Sequence, residues 1–224
     1  MRIRVCIGAV LLVASVALAQ TAPAPIKPDY STPKAALKTY AQAVVAQDAA
    51  LQRQSMVIDP ADKPIVDAVL AATESAARLQ KSVRAKFGDA AVAELRSPGA
   101  MELKMAAWLK LLEVATAENS GDSKITLTFP DSPDGSSHGG SVTLLAVDKQ
   151  WKVAAGSLLN LSDPATAAKL KQGIPLFTGM AAAYNEVAAD VDAGKHPTLK
   201  SAQDSLMEKV TAVARSQKSA ATQK

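Results

Sequence analysis

Cysteine is almost absent: the 224-residue chain has one, Cys6, and only two histidines, His138 and His196. Cys6 lies in an apolar run near the start, so the rest of the chain offers no disulfide, thiolate metal site or cysteine nucleophile. Neither histidine has a second His or a carboxylate at ligand spacing, which removes support for a metal centre or a histidine base. Aromatic residues are scarce at 4%, and charge is nearly balanced, with 25 basic and 21 acidic side chains. So small a surplus gives no electrostatic case for nucleic acid or an anionic membrane. Gly139-Gly140 lacks the lysine and following helix of a phosphate loop, and Asp131, Asp134 and Gly135 miss the spacing of a calcium loop. No Gly-x-Ser-x-Gly elbow marks a serine nucleophile. Catalytic residues, metal ligands and cofactors are therefore assigned to no position.

What is present first is an address. Arg2 and Arg4 precede an apolar run from Val5 to Val16, and Ala17-Leu18-Ala19 supplies the small residues a signal peptidase needs. Residues 1–19 are expected to be a signal peptide cleaved between Ala19 and Gln20, leaving an exported protein, periplasmic or extracellular. The run falls short of the roughly 20 residues that cross a hydrocarbon core, and no later segment does better, so no stable membrane span is expected after cleavage. Cleavage removes two arginines and lowers the net charge from +4 to +2. The prefix suits a bacterial signal; a eukaryotic one would leave Asn160-Leu161-Ser162 as a glycosylation acceptor. Pro23, Pro25 and Pro28 then make residues 20–30 an extended tether.

Folding is expected to start at Ser31 or Thr32, where a hydroxyl caps a helix, Pro33 fits its first turn, and Leu37, Tyr40, Ala41, Val44 and Val45 recur with helical spacing. Asp48 caps a second short helix carrying Leu51 and Met56. After Asp59-Pro60 a long amphipathic helix runs from about Asp62 to Phe87, its stripe formed by Ile65, Val69, Ala72, Ala76, Leu79, Val83 and Phe87, and Gly88 ends it. From about Lys110 the period changes to 2, although 101–112 also fits a helix. Four strands are expected: Leu111 to Glu118, a strand carrying Ile125, Leu127 and Phe129, Ser141 to Val147, and Trp151 to Ala155, with a turn at Asn119-Ser120-Gly121-Asp122 and a loop from Asp131 to Gly140.

Beyond them Asp163-Pro164 starts a helix, Gly173 and Pro175 interrupt it, and Leu176, Phe177, Met180, Tyr184, Val187 and Val191 fall on one stripe. A last helix capped at Thr198 carries Leu199, Ala202, Leu206, Val210 and Val213. The fold class is thus α+β: N-terminal helices packed on a curved four-stranded antiparallel sheet in residues 31–157, followed by a helical hairpin with a frayed tail in 158–224.

The capped helix Ser31-Thr32-Pro33-Lys34-Ala35-Ala36-Leu37 running to Gln47-Asp48, followed much later by Val147-Asp148-Lys149-Gln150-Trp151-Lys152-Val153, resembles the nuclear transport factor two-like superfamily, particularly its secreted bacterial members. The resemblance covers residues 31–157 and implies a curved antiparallel sheet wrapped around a long helix as a cone. The enzymatic members are ketosteroid isomerases and related dehydratases and cyclases. None of their catalytic Asp, His or Tyr motifs matches a position here, and the C-terminal hairpin lies outside the family pattern.

Tyr40, Trp108 and Trp151 sit where they would line or close such a cone and contact an apolar ligand, although aromatics so placed more often fill a core. The leading expectation is an exported, non-catalytic binding or interaction module, self-associating as a homodimer or docking an envelope partner through its sheet or hairpin. The alternative is a small-molecule pocket inside the cone, isomerase- or dehydratase-like, with a desolvated carboxylate such as Asp59 as its acid or base.

Overall fold

The computed structural model describes residues 26–95, 100–131 and 139–222. The expected signal peptide and its cleavage point, most of the tether, Asp134, Gly135, His138 and the chain end lie outside the described residues.

The first helix, α1 (Pro33–Val45), begins as its sequence requires: the Thr32 hydroxyl accepts from the Ala35 N–H at 3.2 Å and Pro33 occupies the first turn. Leu37, Tyr40, Ala41 and Val44 form its buried face, whereas Val45 is exposed. Gln47 takes a positive φ of 58°, so the N–H groups of Gln47 and Asp48 turn back onto the carbonyls of Val44 and Ala43. That closure usually employs glycine. Asp48 then caps α2 (Ala49–Gln54), accepting from Leu51 N–H at 3.0 Å.

Met56, expected on this second helix, instead opens a two-residue strand, β1 (Met56–Val57), parallel to β5 (Gln150–Ala154) with Met56 opposite Val153. With β2 (Thr116–Asn119), β3 (Lys124–Phe129) and β4 (Gly140–Val147) the sheet order is β1-β5-β4-β3-β2. The sheet is therefore five-stranded and mixed, not four-stranded and antiparallel. Two residues are too few to display a period of 2, and the parallel partner of β1 lies far along the chain.

The expected first strand from Leu111 is also corrected. Met105, Trp108 and Leu112 are all buried at helical spacing, so helix α5 (Ala100–Leu111) holds this segment and only Thr116–Asn119 pairs with β3. The β4–β5 hairpin closes through Asp148 and Lys149, both at positive φ (50° and 62°), the sign pattern of a two-residue turn matched to strand twist.

Helix α3 (Lys63–Phe87) follows a turn in which Asp59 accepts from the Ala61 N–H, and ends at Gly88 with φ of 88° before α4 (Asp89–Leu95). After α6 (Ala155–Leu158), Asp163 caps α7 (Pro164–Asp192) by accepting from the Ala165 and Thr166 N–H groups. Gly173 and Pro175 do not interrupt this helix. Proline removes one hydrogen bond, and here the loss falls on an exposed turn where water can satisfy the freed carbonyl. Helix α8 (Leu199–Thr222) returns antiparallel to α7, since Gly179 meets Val213 near one end and Glu186 meets Lys209 further along.

Two apolar cores result. One lies between α1, α5 and the sheet, and includes Leu37, Trp108, Leu127, Phe129, Leu144 and Val153. The other lies between α3, α4, α7 and α8, and includes Leu79, Val83, Val92, Val187, Val191 and Ala202. Helix α3 serves both: Val66 and Leu70 belong to the first core, Leu79 and Val83 to the second.

Candidate functional site

Between the two cores lies an apolar cleft of about 440 Å³. Tyr40, Val44 and Gln47 of α1 and its closing turn form one end together with Gln52 of α2. One long wall is the middle of α3, with Val69, Ala72, Thr73, Ala76 and Gln80. The rest of the lining comes from Leu158 and Leu159 at the end of α6, from Phe177, Met180 and Tyr184 of α7, and from Leu206 of α8. Val69, Ala72 and Ala76 belong to the stripe that periodicity assigns to the core, yet they stay half-buried because they face the cleft and not a packed neighbour.

Magnitudes say what such a space requires. As a sealed dry void, 440 Å³ would cost about 10 kcal/mol at about 24 cal/mol per Å³. That equals the whole stability of an ordinary domain, about 5–15 kcal/mol. The half-exposed walls show that the cleft opens to solvent instead, so its burden is wetted apolar surface, which an apolar occupant would relieve. The volume lies within the usual range for small-molecule sites, about 300–1,000 Å³.

The polar groups in the lining are few and uncharged at neutral pH. Tyr40 is 4% exposed, its hydroxyl has no hydrogen-bond partner among the described residues, and burial pushes its pKa up. Gln52 is 3% exposed, with Nε2 donating to the Ala43 carbonyl at 3.2 Å. The Thr73 hydroxyl is engaged, donating to Val69 of its own helix at 3.1 Å. Among the described residues no Asp, Glu, Lys, Arg, His or Cys belongs to the lining. Among the described residues no group of three or more His, Cys, Asp or Glu is placed to hold a metal ion, and no helix is long and apolar enough to cross a membrane.

Of the three aromatic candidates only Tyr40 lines the cleft. Trp108, 1% exposed, is a core residue: its ring stacks on Phe129 with centroids 4.4 Å apart, and the Lys104 ammonium lies 4.5 Å over it. The same burial lowers the Lys104 pKa and leaves the Trp108 indole N–H without a partner. Trp151 is half-buried beside the first core, its backbone N–H donating to the Tyr30 carbonyl. The sheet face expected to enclose a pocket is filled by Leu127, Phe129 and Leu144 with Ile125 and Trp151 at the margin. Asp59 is exposed and serves its turn, outside the cleft. His196, in the turn before α8, has its Nε2 buried without a hydrogen bond and lies apart from the cleft.

Sequence reasoning singled out neither Gln52 nor the use of the Phe177, Met180 and Tyr184 stripe as a ligand wall. The stripe was visible as apolar; nothing local distinguishes a wall from a packed face. Against protein-family models, curated proteins and solved structures, the chain finds no match, so its function has to be read from the cleft itself.

Proposed function

We propose that this protein is a non-catalytic binding module that takes up an apolar small molecule in the cleft between α1–α2, α3 and α7–α8. The observation that carries this reading is the lining: about 440 Å³ of mostly aliphatic and aromatic wall to which, among the described residues, no carboxylate, ammonium, imidazole or thiol contributes acid–base or nucleophilic chemistry. The signal-like residues 1–19 set the binding outside the cytoplasm, in the periplasm or beyond. Docking of a protein partner through the hairpin draws less support, because Val187 and Val191 of its apolar stripe are already covered within the second core.

The test is saturable binding of a neutral naphthylamine fluorophore to delipidated protein. One-to-one uptake in the micromolar range is expected. Ala76→Trp, which fills the cleft from the α3 wall, should weaken it at least tenfold while leaving the circular dichroism spectrum unchanged. Absence of saturable uptake by the parent protein would sink the proposal.

A further inference from the structure

Resting on the cleft reading, we infer that the ligand is not a bare hydrocarbon but a neutral molecule with one hydroxyl head group, held between Tyr40 and Gln52 at the α1–α2 end. The polar atoms there are complementary. The Gln52 amide is pinned, since its Nε2 donates to the Ala43 carbonyl at 3.2 Å, and the flipped amide would set two oxygens against each other. Oε1 is thereby left as an acceptor with no partner among the described residues, on a side chain that is 3% exposed and lines the cleft.

Ala43 lies one turn beyond Tyr40 on α1, and Tyr40 and Gln52 both line the cleft. Tyr40, a residue more than nine-tenths buried, adds an O–H that likewise has no partner among the described residues. The Tyr40 O–H and the Gln52 Oε1 are a neutral donor and a neutral acceptor, and a hydroxyl serves both by accepting from Tyr40 and donating to Gln52. A ketone or ether accepts but cannot donate, so it would leave the Gln52 Oε1 unpaired. A carboxylate would enter an apolar site that offers no cation, and would bear its desolvation uncompensated. Leaving either protein group unpaired beneath a bound apolar body is equally unfavourable, so the head group becomes a selectivity element and not an accessory. The remaining walls, from α3, α6 and α7, carry the apolar body.

The experiment displaces the naphthylamine probe from delipidated full-length protein with 1-decanol, its methyl ether and decanoate. Decanol should compete at least tenfold better than the ether, and the ether better than decanoate. Gln52→Met should erase most of the alcohol's advantage while the ether's affinity stays within about twofold, which also shows that this variant retains the cleft, and Tyr40→Phe, which removes the donor both ligands accept from, should weaken alcohol and ether together. Equal affinity for alcohol and ether, tighter binding of decanoate, or an advantage that survives Gln52→Met overturns the head-group inference while the cleft stands. Failure of the probe itself to bind overturns the cleft reading and this inference together.

Discussion

A tyrosine hydroxyl without a partner is a cost in a closed core and an asset at the edge of a cleft, and Tyr40 is of the second kind. Burial raises its pKa above the ordinary value of 10, because the phenolate would lose hydration with nothing to replace it. The folded state therefore keeps its proton where the unfolded chain releases it. The stability this contributes is fully present below pH 10 and is lost as pH rises beyond it. Relative to Tyr40→Phe, the parent protein should lose up to about 1.4 kcal/mol of unfolding free energy per pH unit above 10, measured by urea denaturation. Parallel pH profiles for the two proteins would place the hydroxyl in a polar or solvated site. A hydroxyl-bearing ligand should leave Tyr40 protonated to still higher pH, since Tyr40 donates its proton to the head group. At the acid end Asp67, bonded to Lys63 and Arg53, and Asp163, bonded to Thr166, have lowered pKa values, so their contribution holds above the ordinary carboxylate range and fades as pH falls through their folded-state values.

At the scale of the element, α7 and α8 approach closely where Gly179 faces Val213. A Cβ added at Gly179 would lie 2.5 Å from one Val213 methyl and 3.1 Å from the other, and a β-branched side chain cannot swing aside. Gly179→Ala should destabilise the protein by about 1–3 kcal/mol, and Val213→Ala in the same chain should recover most of that loss. Simple additivity of the two substitutions in thermal unfolding would refute the contact. Most elements were legible in the sequence for local reasons: Thr32-Pro33 and Asp163-Pro164 write helix starts, the alternation Ile125, Leu127, Phe129 writes a strand, and Gly88 writes a stop. The failures were non-local. Met56–Val57 is a strand only because β5 is beside it, and the strand expected from Leu111 shortens to Thr116–Asn119 because α5 continues to Leu111, where α1 and the sheet bury Trp108. Gly173 and Pro175 read as a break from propensity alone, but the tertiary support of a helix lying along α3 and α8 overrides a single lost bond.

For the whole molecule, the decisive feature is that α3 belongs to both cores and the cleft opens at the seam between them. Periodicity could name Val69, Ala72, Ala76, Phe177 and Tyr184 as inward-facing. It could not reveal that the surfaces they face stand apart, because a gap between elements belongs to tertiary packing and leaves no mark on any one of them. A ligand in this gap touches Tyr40 and Gln52 on the side of the first core, and Met180, Tyr184 and Leu206 on the side of the second. Its binding free energy should therefore resist separation of the hairpin from the body as well as global unfolding. At 100 times the dissociation constant a ligand bound only by the folded state adds about 2.7 kcal/mol. For a chain of this size that raises Tm by about 5–10 °C. The location of the added protection is the sharper observable: amide hydrogen exchange should slow in α7 and α8 together with α1 and α2, because both sides of the seam are closed by the same molecule. Protection confined to α1 and α2 would mean that the ligand occupies the polar end alone, and the hairpin would then form no working wall of the site.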